Sequence, residues 1–244
     1  MNTPADVLVA SWQGHCPICE QATTFQARYG WFRDHLICTS CPGGSIPRER
    51  ALMQTIRQLM PDWRERRIHE SSPASRGASI VLARDCADYV ATQYFPDVAR
   101  GGMKGGFRCE DLEHQTFADD SFDLVVTQDV MEHVFYPEKA HREIWRTLKT
   151  GGLHIHTTPI FKDRVTTERR AWLSSDGSIG HLGEPEYHGN PVDPQGSLVT
   201  FHYGYDIGEL IAAWAPFDVE IRRFNQRSTG IVAEFSEVII CRKV

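Results

Sequence analysis

From about residue 66 onward, strand-like segments alternate with helix-like ones, and the alternation predicts a doubly wound, mostly parallel α/β sheet. Two further observations complete the predicted architecture. The last strand-like segments, 217–224 and 232–242, follow one another without a helix between them, which predicts an antiparallel C-terminal hairpin at the sheet edge. Ahead of the alternation, Cys16-Pro-Ile-Cys19 and Cys38-Thr-Ser-Cys41 form two CxxC turns separated by an eighteen-residue spacer.

That spacing predicts one tetrahedral zinc site. Each CxxC turn brings two thiolates to one side of a knuckle, and two knuckles supply Cys16, Cys19, Cys38 and Cys41 to a single Zn²⁺. A site closed by four sulfurs is structural, and metal binding contributes about 10 to 16 kcal/mol to a segment too short to bury a core of its own. Two disulfides are the alternative, disfavoured because the N-terminus has no secretory character. Cys86, Cys109 and Cys241 are scattered and read as packing residues.

The predicted organisation is a zinc-ribbon module over 1–47, a connecting helix over 48–65, and an α/β domain over 66–244. In the connecting helix Ala51, Leu52, Ile56, Leu59 and Met60 recur at spacings of three and four, and Pro61 ends it. The domain begins with a short strand at 67–71, a helix at 77–84 and a strand at 89–92. A strand at 122–127 then leads to a helix at 137–148 carrying Ala140, Ile144 and Leu148. Gly151-Gly152 is expected to stop that helix, since glycine takes a left-handed conformation at least cost. A strand at 153–158 follows, and a helix at 205–215 precedes the final hairpin.

The 244 residues, 41% hydrophobic and 24% charged, have the composition of an ordinary soluble protein. No apolar run approaches the roughly 20 residues of a membrane-spanning helix, so no membrane partner and a cytoplasmic location are expected. A formal net charge of −6 argues against a nucleic-acid partner. The basic strip Arg48, Arg50, Arg57, Arg64, Arg66 and Arg67 reads as a solvated helix face rather than a binding surface.

Four motifs occur in order: Cys109-Glu110-Asp111-Leu112, the segment 117–126 (FADDSFDLVV), Asp129-Val130-Met131-Glu132-His133-Val134, and Leu148-Lys149-Thr150-Gly151-Gly152. Together they resemble class I S-adenosylmethionine-dependent methyltransferases. The resemblance implies a Rossmann-like sheet of seven strands, with S-adenosyl-L-methionine lying across the carboxyl ends of the early strands. It implies that Asp111 accepts the adenine amino group while Leu112 packs on the ring, and that Asp129 lines the cleft between methyl donor and acceptor. A helix-capping role for Asp129 is the alternative.

The glycine pattern departs from the family. Where members carry GxGxG after the first strand, this chain has Glu70-Ser71-Ser72-Pro73-Ala74-Ser75-Arg76-Gly77. Glu70 is expected near the cofactor's ammonium group, with Ser72 and Gly77 on the loop. The acid that usually holds the ribose hydroxyls is replaced by Gln93, unless Asp88 or Asp97 serves instead.

Residues of about 160–203 lack periodicity, and loops this long are usually functional or disordered. Their polar and aromatic residues suit an acceptor-binding lid. Methyl transfer from a sulfonium asks the protein to position a nucleophile and keep it deprotonated. His181, His188 and His133, in that order, are the candidate bases. His154 and His156 share one strand face, with no third ligand evident for a metal. The leading expectation is a methyltransferase acting on a hydroxyl of a small molecule or saccharide precursor. A non-catalytic scaffold, and an RNA base methyltransferase clamping RNA with its ribbon, are the alternatives. The oligomeric state is not legible.

Overall fold

The computed structural model describes residues 7–190 and 192–244; Pro191, one of the lid's turn residues, and the first six residues of the N-terminal module lie outside them. The module is a three-stranded antiparallel sheet of β1 (Ala10–Cys16), β2 (Gln21–Ala27) and β3 (Ile37–Cys38), with a single helical turn α1 (Phe32–His35) before β3. Cys16 sits opposite Gln21 in the β1–β2 register, so the first CxxC turn is the hairpin's own bend.

Helix α2 (Pro47–Leu59) starts with proline, whose missing N–H costs nothing in the first turn, and Glu49 accepts a hydrogen bond from the Ile46 N–H at 3.1 Å. Its apolar face, Ala51, Leu52 and Ile56, is fully buried and joins Phe25 and Leu36 of the ribbon to Ile68, Leu124, Ile155 and Ile240 of the main sheet. The helix is therefore part of the domain's wall rather than a spacer.

Arg50 confirms the seam. This fully buried guanidinium donates to the carbonyls of Leu36 (2.9 Å) and Gly230 (2.8 Å) and lies 4.8 Å from the Phe25 ring centroid. Burial pulls its pKa down to about 10, opposed by nearby Cys16 and Cys38. Gly230 has φ +67°, and a Cβ there would fall 2.6 Å from the Phe25 ring.

The main sheet comprises β4 (Arg67–Ser71), β5 (Asp88–Gln93), β6 (Met103–Lys104), β7 (Phe107–Cys109), β8 (Phe122–Gln128), β9 (Leu148–Thr157), β16 (Phe217–Arg222) and β17 (Val238–Lys243). Between β9 and β16 come the lid strands β10 (Glu168–Arg169), β11 (Ala171–Leu173), β12 (Ile179–His181), β13 (Tyr187–His188), β14 (Ser197–Leu198) and β15 (Phe201–His202). The strand order is β16-β17-β9-β8-β4-β5-β7-β6. β9, β8, β4, β5 and β7 pair in parallel, and β17 runs antiparallel to both β9 and β16. Seven strands are the expected set; the eighth, β6, is two residues folded back on β7 at the edge.

Helix α3 (Gly77–Asp85) connects β4 to β5 and packs beside α2 on one face, while α4 (Pro137–Thr147) and α5 (Ile207–Trp214) cover the other. Two boundaries differ from the sequence reading. Helix α4 stops at Thr147 and β9 runs through Gly151-Gly152, where the β8–β9 register slips between Phe122 and Leu124; with Gly151 at φ +78°, the glycines form a bulge rather than a helix cap. The last strand begins at Val238 rather than 232, because Gly230 and Phe235 (φ +52°) turn the preceding backbone away from extended geometry.

Candidate functional site

The four module cysteines converge. Cys16 Sγ and Cys41 Sγ lie 3.5 Å apart, Cys19 Sγ and Cys38 Sγ 3.9 Å, and all four fall within 4.8 Å of one another. A disulfide would hold its sulfurs at about 2.05 Å. A tetrahedron of Zn–S bonds of about 2.3 Å sets them near 3.8 Å apart. The Ile18 N–H points at Cys16 Sγ (3.4 Å) and the Thr23 hydroxyl at Cys38 Sγ (3.3 Å), the outer contacts a metal-bound thiolate uses.

The loop after β4 is tightly enclosed. Glu70 is fully buried: Oε1 accepts from the Ser79 hydroxyl (2.6 Å) and Gln128 Nε2 (2.8 Å), Oε2 from the Tyr89 hydroxyl (2.7 Å), and burial raises its pKa. This is a correction to the expected strand-end carboxylate open to an ammonium group: Glu70 knits β4, α3, β5 and β8 together. Gly77 also differs from expectation. At φ +56°, a Cβ would sit 2.0 Å from Glu49 Oε2, so this glycine admits the carboxylate of α2, which also pairs with Arg76 at 3.0 Å. Ser72 takes the left-handed conformation at φ +58°, its N–H held by the Thr92 carbonyl at 2.8 Å.

Gln93 ends β5 buried, and its Oε1 has no partner among the described residues. An orphaned carbonyl oxygen at that strand end suits a ribose hydroxyl. Asp88 opens β5 at the opposite end, and Asp97 pairs with Lys104 at 2.6 Å, so neither competes with Gln93. Asp111 is partly exposed just beyond β7; Oδ1 accepts the Glu113 N–H (2.9 Å) and Oδ2 lies 3.8 Å from His114 Nδ1. Leu112 is buried in the second core cluster. A surface hollow of about 420 Å³, lined by Arg100, Glu113, His114, Phe117, Glu143 and Arg146 among others, includes none of Glu70, Gln93 or Asp129.

Asp129 follows β8 at φ +52° and is not a helix cap. Its N–H donates to the Thr157 carbonyl (2.9 Å) and Oδ1 accepts from the Thr157 hydroxyl (3.0 Å). Oδ2 lies 2.6 Å from Arg33 and 2.9 Å from Arg48, so the ribbon and α2 reach the sheet's carboxyl edge. Burial alone would raise the carboxyl's pKa; Arg48 and Arg33 outweigh it and hold the value to about 2. The arginine strip is thus divided: Arg64, Arg66 and Arg67 are solvated as expected, while Arg48 and Arg50 turn inward. Arg48 serves Asp129, Arg50 is interior, Arg57 and Arg64 pair with Glu20, and Arg66 and Arg67 with Asp62 and Asp88.

Beyond Asp129 the lid closes on 131–134. The Thr200 hydroxyl donates to the carbonyls of Glu132 (2.9 Å) and Val134 (2.7 Å), and the Tyr203 hydroxyl to that of Met131 (3.0 Å). Glu132 is 2% exposed; Oε2 accepts from Thr158 at 2.9 Å, while Oε1 has no hydrogen-bond partner among the described residues. His133 Nε2 and His188 Nδ1 each lie 3.9 Å from that oxygen. Burial and then the Asp129 charge push the Glu132 pKa up to about 8. Burial lowers that of His133. Glu186 continues the network, 3.3 Å from His188 Nε2 and 2.7 Å from His202 Nε2.

Of the three candidate bases, the structure brings His133 and His188 together, rings 5.1 Å apart, and leaves His181 on the separate β11–β12 hairpin opposite Ala171. His202 was not singled out in the sequence, Glu186 figured only among the polar residues of the lid, and Glu132 carried no role of its own within the 129–134 motif; the Glu132-His133 dipeptide beside Asp129 was the available signal. His154 and His156 stack at 4.2 Å, and α4 supplies the third imidazole, His141, that the sequence did not reveal. All three are buried, with pKa values lowered chiefly by burial, His141 to about 4.

Residues 74–156 match the methyltransferase domain family. No curated protein matches the chain. Among solved structures, an S-adenosylmethionine-dependent methyltransferase from Mesorhizobium loti is 13% identical with a TM-score of 0.51, covering 79% of this chain and 97% of that one. An amino pentose methyltransferase from Micromonospora echinaspora, solved with the methyl donor bound, is 12% identical with a TM-score of 0.50, covering 78% and 88%. A Pyrococcus horikoshii protein is 16% identical at 0.50, covering 80% and 89%. At such identities the structures establish the fold. Strand order and the solved structures establish the class I S-adenosylmethionine-dependent methyltransferase fold, and the methyltransferase-domain match over residues 74–156 supports an enzyme of group transfer. Among the described residues no helix is long and apolar enough to cross a membrane.

Proposed function

We propose that the enzyme methylates a hydroxyl oxygen of a small polar acceptor, such as a saccharide precursor, bound between the end of β8 and the lid. The observation that carries this reading is the convergence of Glu132, His133 and His188 beside Asp129. Bound S-adenosyl-L-methionine supplies a methyl group on a positively charged sulfur. In this reading Gln93 Oε1 and Asp111 receive its ribose and adenine, and Ser72 stands in for a family glycine near its amino-acid end; the unpartnered Gln93 Oε1 supports the first of these. The acceptor hydroxyl gives up its proton to the imidazole–carboxylate cluster, its oxygen takes the methyl carbon, and the carbon–sulfur electron pair stays on sulfur. The protein's share of the barrier is alignment and deprotonation, each worth factors of about 10² or more.

The ribbon is proposed to hold structural zinc through Cys16, Cys19, Cys38 and Cys41, with 1–47, 48–65 and 66–244 as its organisational units and 160–203 as the lid. Arg33, Arg48, Arg57 and Arg64 are engaged in ion pairs within the chain, which argues against clamping RNA. Calorimetry with the donor, followed by mass spectrometry of polyhydroxylated small molecules incubated with isotopically labelled donor, tests the reading. A dissociation constant below 1 mM and a labelled O-methyl product are expected. Absence of donor binding would favour a scaffold.

A further inference from the structure

Glu132, His133 and His188 have the arrangement of a metal site rather than of a lone proton acceptor. Each imidazole already commits its outer nitrogen: His133 Nδ1 donates to the Leu198 carbonyl at 2.9 Å, and His188 Nε2 faces Glu186 Oε1 at 3.3 Å. Those contacts fix the tautomers and leave His133 Nε2 and His188 Nδ1 as bare lone pairs. Both bare nitrogens stand 3.9 Å from Glu132 Oε1, the unpartnered oxygen of a carboxylate that is 98% buried and anchored through its other oxygen by Thr158. Once Glu132 is ionised, which a cation at the centre favours, three acceptors face one another, and no donor among the described residues meets Glu132 Oε1. A buried acceptor left unmet, as Glu132 Oε1 is, is destabilising. A cation at the centre satisfies all three at once.

We propose that Glu132, His133 and His188 bind a divalent first-row transition cation, with Glu186, Leu198 and Thr158 as the outer contacts that orient the ligands. Two imidazoles and one carboxylate form a mixed N/O set suited to zinc, iron, cobalt or manganese, and three protein ligands leave coordination positions free. His188, the most exposed of the three, marks the side from which an acceptor oxygen reaches them. The proposal rests on the reading of this cleft as the acceptor side and refines it. The cation, rather than an imidazole, lowers the pKa of the acceptor hydroxyl, whose proton leaves to water in the cleft.

The test uses the full chain loaded with one equivalent of zinc, so that the four cysteines are occupied. Titration with Co²⁺ should then show one further equivalent bound, with visible ligand-field bands and no sulfur-to-cobalt charge transfer; zinc's higher affinity keeps cobalt out of the thiolates. Glu132→Gln, which preserves the Thr158 contact, should abolish this second equivalent, and surface-accessible His188→Ala should weaken it at least tenfold. His181→Ala should leave it unchanged. Cobalt uptake that is absent, or equal in wild type, Glu132→Gln and His188→Ala, overturns the proposal. Donor binding, measured separately by calorimetry without cobalt, tells failure of the cation site from failure of the methyltransferase reading.

Discussion

Arg33 of the ribbon's helical turn and Asp129 just past the central strand β8, 96 positions apart in sequence, meet at 2.6 Å. With Arg48 on the same carboxylate oxygen, this pair ties the N-terminal module to the carboxyl edge of the sheet. Removing one partner of a largely buried pair strands the other's charge, which costs about 3 to 5 kcal/mol. Asp129→Ala should lower stability by an amount in that range in urea unfolding. A double-mutant cycle with Arg33→Met should recover part of the loss, and purely additive effects would sink the coupling.

The same pair sets an acid limit. The Asp129 carboxyl is held to about 2 when folded, against about 3.9 in an unfolded chain, so the folded state binds fewer protons between those values. Its contribution is complete above roughly pH 4 and fades as pH falls toward 2. Asp129→Asn should remove this component from a stability–pH profile.

Buried histidines act in a higher window. His69, with its pKa lowered to about 3, and His141, to about 4, stay neutral inside while an unfolded chain protonates near 6.5. Stability should therefore be full above about pH 6.5 and decline as pH falls toward 4, where the unfolded chain takes up the protons. Replacing His141 with Phe should flatten that decline between pH 6 and 5 in thermal melts.

Gln93 provides a direct reading of donor recognition. Gln93→Leu removes the orphaned oxygen and should weaken S-adenosyl-L-methionine binding roughly tenfold, the worth of about 1.4 kcal/mol for one hydrogen bond. Asp111→Ala should weaken it comparably, and calorimetry that finds both variants unaltered would displace the cofactor from this edge.

Replacing Cys38 with Ser should abolish the proposed zinc site and melt more than the ribbon, since Phe25 and Leu36 share one apolar cluster with Leu52, Ile68 and Ile155. Loss of zinc together with a broadened or lowered transition of the whole chain is expected by elemental analysis and calorimetry.

Local chemistry made much of this legible in the sequence. Strand alternation and the adjacent final strands imply the sheet's topology, and CxxC spacing alone implies that the four cysteines meet. Long-range pairing was not legible. Glu70 and Gly77 look like a cofactor loop in sequence, yet Tyr89, Gln128 and Glu49 close on them from residues 19 to 58 positions away. His181 and His188 are equivalent along the chain, and only the hairpin registers of the lid separate the one from Glu132 and deliver the other. The arginine strip carries helical spacing whichever way it faces, so its acidic partners decided the matter.

Helix α2 lays Leu52 and Ile56 over Ile68, Leu124 and Ile155, and Arg50 is laced to the Gly230 carbonyl near the far end of the chain. A fragment trimmed to residue 66 would keep every motif of the methyltransferase domain yet uncover a greasy flank of its sheet and strand that carbonyl. Such a fragment should clump on expression, and grafting the ribbon onto another scaffold would require transplanting the helix with it.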